Sequence, residues 1–139
     1  MMIVLASIVL IGLTTTVTAI DSIFDIIQNK GLDMYESFLE IANLDTFLDC
    51  NNSLCSIYTA FAPTNEAFDI LHNTFVTRMT TNKEYWEHLR QWICNHLIYG
   101  CVYSTSIKNG NCYGTCQGEK INITKSGKAI IINNRATVV

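Results

Sequence analysis

Apolar residues follow three successive patterns along the chain. Ile3 to Leu13 is one apolar run, followed by the small and polar residues Thr14-Thr15-Thr16-Val17-Thr18-Ala19. From Ile23 the spacing becomes helical. Asp21 or Ser22 caps a first helix with Ile23, Ile26 and Ile27 on one face, and Gly31 after Lys30 stops it. A second helix runs from Asp33 to Ala42, with Met34 or Tyr35, Phe38, Leu39 and Ala42 as its stripe. Leu44, Phe47 and Leu48 predict a third short helix ending near Cys50. Core packing accounts for these stripes without a cofactor.

The period then changes. Ile57 to Ala62 reads as a short strand closed by Pro63. Thr64 or Asn65 caps the next helix, which carries Ala67, Phe68, Ile70 and Leu71. His72 to Asn82 reads as a polar loop. The longest helix is expected over Lys83 to Tyr99, with Tyr85, Leu89, Trp92, Ile93, His96 and Leu97 on its stripe and Gly100 as C-cap. Trp86 falls off that stripe and is expected to be partly exposed or to cover another apolar patch.

The last third is strand-like. Val102-Tyr103 reads as a short or edge strand, and Asn109-Gly110 as a turn. Lys120 to Thr124 alternates, with Ile121 and Ile123 on one face. Ser126-Gly127 turns the chain, and Ala129 to Ile132 returns. Another strand begins at Ala136. An apolar strand at the end of a domain leaves an open edge, so the natural domain is expected to continue past Val139. Helices first and strands afterwards place the chain in the α+β class.

A length of 139 residues suits one domain, and 49% hydrophobic content excludes a disordered tail. The first apolar run is shorter than the roughly 20 residues that span a bilayer. Val17 and Ala19 fit a small-residue cleavage site, although the segment before the run has no Lys or Arg. Residues 1–19 therefore read as an export signal and residues 20–139 as the mature domain, secreted or cell-surface-associated, with no transmembrane segment after cleavage. All six cysteines (Cys50, Cys55, Cys94, Cys101, Cys112 and Cys116) fall in the mature part and are disulfide candidates. Proximity favours Cys50–Cys55, Cys94–Cys101 and Cys112–Cys116, but sequence does not choose among the connectivities. The spacings C-x4-C, C-x6-C and C-x3-C are poor for a structural zinc site. Asn51-Asn52-Ser53 and Asn122-Ile123-Thr124 fit the glycosylation pattern, with Asn122 expected on the solvent side of its strand.

A net charge of −3 argues against a general nucleic-acid binder. The charge is uneven: nine acids against one base in residues 1–77 give −8, and eight bases against three acids in residues 78–139 give +5. An ordinary internal dipole explains this. A basic face of Lys108, Lys120, Lys125, Lys128 and Arg135 that meets an acidic glycan or lipid headgroup is the sharper alternative. No His-Glu-x-x-His stretch, phosphate-cradling glycine pattern or Gly-x-Ser-x-Gly elbow occurs. Cys94 and His96, two apart on a helix, point to different sides and make a poor nucleophile–base pair. No catalytic, cofactor or metal residues are assigned, and the chain does not read as an enzyme.

Thr59-Ala60-Phe61-Ala62-Pro63-Thr64-Asn65-Glu66-Ala67-Phe68 resembles the first signature block of the fasciclin-like domain family. Leu89 to Gly100 resembles that family's helix carrying a Tyr-His pair, with His96 at the His and Asn95 where Tyr is usual. Ile131 to Val139 resembles the start of its second signature, whose Asn-Gly-x-x-His continuation is absent. The likeness covers nearly all of residues 20–139. It implies an α+β domain in which a wedge-shaped β-sandwich lies beside a group of N-terminal helices. It also implies non-catalytic work in adhesion or matrix contact, with a cell-surface receptor, matrix protein or glycan as partner. Phe61, Pro63, Thr64, Asn65 and Phe68 have structural uses of their own: core volume, a strand end and a helix cap. His96 reads as a core or boundary histidine, with a direct adhesion contact as the alternative. A self-associating structural module that oligomerises through the C-terminal strands is the competing function.

Overall fold

The computed structural model describes residues 7–11, 22–49, 58–100 and 102–138, with backbone only for 7–11. Three helices come first among residues 22–49. Helix α1 (Ile23–Asn29) starts on Ser22, whose hydroxyl accepts the Asp25 N–H at 2.9 Å while the Asp25 carboxylate accepts the Ser22 N–H at 2.8 Å. This reciprocal pair satisfies two N–H groups that a helix start otherwise leaves open. Gly31, at φ 64°, takes the left-handed turn that ends α1. Helix α2 (Asp33–Ile41) buries Tyr35, Phe38 and Leu39, and α3 (Asp45–Leu48) buries Leu48.

The strands are β1 (Ser7–Ile11), β2 (Tyr58–Pro63), β3 (Leu97–Tyr99), β4 (Asn111–Gly114), β5 (Lys120–Ser126), β6 (Ala129–Ile132) and β7 (Ala136–Val138). They form one seven-stranded sheet in the order β3-β2-β1-β7-β6-β5-β4. Only β1 and β7 pair in parallel; every other neighbouring pair is antiparallel. A bridge between Ile98 and Thr115 also connects β3 to the residue after β4. Residues of β1 carry the export-signal pattern in the sequence, and here they lie between β2 and β7, with Ile8 opposite Pro63 and Ile11 opposite Ala60.

Strand β2 separates two apolar clusters. Ala60 and Ala62 face a helical cluster containing Tyr35, Phe38, Leu39, Phe68, Leu89 and Trp92. Phe61 faces a sheet cluster with Ile98, Ile121, Ile123, Ile130 and Ile132. The two-residue period of a strand produces this division, and it explains why β2 is apolar on both faces. On β5 one face is wet: Ile121 and Ile123 are buried while Lys120 and Asn122 are exposed, as the alternation predicts.

Three expectations are corrected. Residues expected as a loop after His72 form helix α5 (Asn73–Thr81), which follows α4 (Asn65–Asp69). Phe75, Val76 and Met79 of α5 pack on the helical cluster, and the Thr80 and Thr81 hydroxyls donate to the Val76 and Thr77 carbonyls at 3.0 and 2.7 Å. Threonine hydroxyls spent inside the helix look like loop polarity in a sequence. The long helix expected to reach Tyr99 is a short 3₁₀ turn (Lys83–Tyr85) and then α6 (Trp86–Cys94). The next residues become β3, with Leu97 opposite Ala60, Ile98 opposite Thr59 and Tyr99 opposite Tyr58. Pairing with β2 sends Leu97 into one cluster and Ile98 into the other, which a helix would not do. Gly100, at φ 92°, follows a strand and caps no helix. Last, Val102-Tyr103 is not a strand, and Asn111–Gly114, not anticipated, is.

Candidate functional site

The signature segment is built into the scaffold. The Thr59 hydroxyl, fully buried, donates to the Gly100 carbonyl at 2.7 Å and accepts the Val102 N–H at 2.9 Å, so it fastens the chain leaving β3. Pro63 is the last residue of β2, where a missing N–H costs the sheet least. Phe68 packs edge-on against Phe38 with ring centroids 5.1 Å apart, and against Trp92 at 6.0 Å. Thr64 occupies the N-cap position of α4 but makes no side-chain cap bond. Asn65 does not cap its own helix either. Its amide oxygen accepts the Met34 N–H at 3.2 Å and its amide nitrogen donates to the Gly31 carbonyl at 2.9 Å. Leu32, at the start of α2, has no side chain able to cap. Asn65 therefore caps α2 from 31 residues away and holds the α1–α2 turn against the start of α4.

His96 is 5% exposed. Its Nδ1 is 2.8 Å from the Trp92 carbonyl, an acceptor, so that nitrogen carries the proton. The ring lies 4.3 Å from the Trp92 ring and 6.2 Å from that of Tyr35. Burial holds its pKa down at about 4, against a smaller upward pull from the Trp92 carbonyl. The imidazole is thus a neutral core group and presents no ring to a partner. Tyr35, also fully buried, has its pKa raised, first by burial and then by the Cys94 and Cys116 thiols.

Cys94, Cys112 and Cys116 are free thiols in this structure, while Cys50, Cys55 and Cys101 lie outside the described residues. Cys112 is exposed on β4, and the backbone runs extended from there to the Thr115 bridge. Four extended residues span about 13 Å, well beyond the roughly 7 Å limit for bridged Cα atoms. The expected Cys112–Cys116 link therefore does not suit this backbone. Of the glycosylation candidates, Asn122 is exposed on β5 and Asn51 lies outside the described residues.

The five basic residues divide into two groups. The Asn109 side chain accepts the Lys125 N–H at 3.0 Å, which places Lys108 beside Lys125, and Lys128 sits in the adjoining β5–β6 turn. Lys120 begins β5 at its other end, about 17 Å away along the strand. Arg135 lies in the β6–β7 turn next to that end, where the Asn133 N–H donates to the Asn122 carbonyl at 2.8 Å.

An aromatic row was not read from the sequence. Phe47, Tyr58 and Tyr99 pack in succession with tilted rings, their centroids 5.0 and 4.9 Å apart, and Tyr99 is 62% exposed. Burial and the neighbouring Tyr99 hydroxyl push the Tyr58 phenol up to about 12. The three residues come from α3, β2 and β3, so no local period links them. Strand pairing sets Tyr99 opposite Tyr58, and the packing of α3 brings Phe47 to Tyr58.

Among the described residues, no group of three or more His, Cys, Asp or Glu side chains is placed to hold a metal ion. Among the same residues, no helix is long and apolar enough to cross a membrane. A family model described as Fasciclin domain matches residues 30–139. No curated protein matches the chain.

Proposed function

This chain belongs to the Fasciclin domain family, whose domains are non-catalytic and generally implicated in adhesion, and from that premise we propose that it is a secreted or cell-surface-associated module that binds a receptor or matrix component. The family match over residues 30–139 carries this reading. Export rests on the leader-like pattern of residues 1–19, of which Ser7–Ile11 form β1 in the uncleaved chain, and agrees with six cysteines and the exposed sequon at Asn122. The wedge-shaped sandwich implied by the family agrees with the Ile98–Thr115 bridge and with the sheet cluster enclosed by β2, β3, β5 and β6.

The contact surface we assign is the Phe47, Tyr58 and Tyr99 row. Exposed aromatic side chains offer large contact area at low entropic cost, and the tyrosines add a hydroxyl for a polar rim. His96 lies in the core at 5% exposure, so the row and not His96 is the surface assigned. The test is binding of the soluble, tagged chain to suspended cells by flow cytometry. Saturable binding that weakens several-fold in Tyr99→Ala supports the assignment; non-saturable binding refutes it.

One observation favours a second reading, an acidic glycan or lipid headgroup as ligand. Lys108, Lys125 and Lys128 are gathered at one end of the sheet. Neutralising these three is expected to shorten retention on a heparin column, whereas neutralising Lys120 and Arg135 has a smaller effect. Unchanged retention in the triple variant removes this reading.

A further inference from the structure

We propose that Cys94 and Cys116 pair as a disulfide that ties the end of α6 to the turn after β4. One antiparallel bridge and one side-chain hydrogen bond bring the two segments side by side. The bridge pairs Ile98 with Thr115 and includes the Cys116 N–H donating to the Leu97 carbonyl at 2.8 Å, and the Thr115 hydroxyl donates to the Asn95 side-chain oxygen at 3.1 Å. Cys94 is the last residue of α6, directly before Asn95, and Cys116 directly follows Thr115. Cys116 also packs against the helical cluster to which α6 contributes Leu89, Trp92 and Ile93. Both cysteines are half-buried, and both lie near enough to the buried Tyr35 phenol to help raise its pKa. Cys112, exposed on β4, is on neither side of this junction.

Chemistry sets the order of events. Burial pushes both thiols up, Cys116 to about 11, and the neighbouring Cys94 adds to the rise at Cys116. Buried thiols of this kind hold little thiolate, so the pair is a structural cross-link made as the core closes and not a reactive site. The oxidant is a small disulfide such as oxidised glutathione. One cysteine thiolate attacks its S–S bond, giving a mixed disulfide and one released thiol. The second cysteine thiolate then attacks the mixed disulfide at the protein sulfur, forming Cys94–Cys116 and releasing the second thiol. Two protons and two electrons leave the protein and reduce one oxidant disulfide to two thiols.

The bond joins the helical cluster to the far end of the sheet, at the junction where β3 already meets the residue after β4. The full chain is oxidised with a glutathione redox mixture, alkylated without reduction, digested and mapped by mass. The expected result is a peptide pair joined through Cys94 and Cys116, absent from Cys94→Ser and from Cys116→Ser, each of which leaves the remaining partner open to alkylation. Cys94 joined to Cys101, Cys116 joined to any other cysteine, or alkylation of both in the oxidised wild-type chain overturns the pairing. The mapping uses wild-type protein, so it does not depend on how well either variant folds.

Discussion

At the scale of single residues, the signature segment is a set of fasteners. Asn65 illustrates how far this departs from a local reading. The sequence rule for caps assigns it to the helix it begins, yet it serves α2 and the Gly31 turn. Nothing in the local pattern encodes that, because the two partners meet only when the helical group packs on β2. Asn65→Ala is expected to cost about 1–2 kcal/mol in urea unfolding, the loss of a cap and of a hydrogen bond to a turn carbonyl. His96 was legible as a core histidine from its place on an apolar stripe, and the structure supplies its consequence. Its folded pKa lies below the ordinary 6.5, so between about 6.5 and 4 the unfolded chain binds the proton that the folded chain refuses. Stability is therefore lost as pH falls through that window, by up to roughly 3 kcal/mol from this group. Urea midpoints at pH 7 and pH 4.5 measure it, and His96→Gln is expected to flatten the difference.

At the scale of elements, what could be read was set by whether local period and tertiary pairing agree. They agree for α1 and α2, whose stripes become the helical cluster, and for β5 and β6, joined by the Gly127 turn at φ 60°. They disagree after Cys94. Leu97 continues the α6 stripe at helical spacing, and only the open hydrogen bonds of β2 draw it into a strand. Neither that edge nor the polar disguise of α5 is visible from a window of ten residues. The strand assignment has a direct check. Ile98 is fully buried in the sheet cluster while Tyr99 is mostly exposed. Ile98→Ala is expected to cost about 2–5 kcal/mol, and Tyr99→Ala less than about 1 kcal/mol. Similar costs at both positions would argue for a continued helix in which neither side chain alternates.

At the scale of the molecule, β2 is the wall between two apolar clusters, and the family signature lies on that wall and the helix after it. A recognisable motif is thus compatible with a function located elsewhere on the surface. The family likeness was legible in Thr59 to Phe68, and the family model matches residues 30–139. The division of the basic residues between two ends of the sheet and the aromatic row across three elements required the fold. Charge counted along the chain has no position in space until strand register assigns one, which is why the alternative of one basic face could be weighed in the sequence but its division into two groups could not be seen there.

The most direct test of the adhesion reading is cell attachment to surfaces coated with the purified chain at matched density. Attachment above that on an unrelated glycoprotein, and saturating with coating density, is the predicted result. Attachment equal to the unrelated glycoprotein at every density would contradict it.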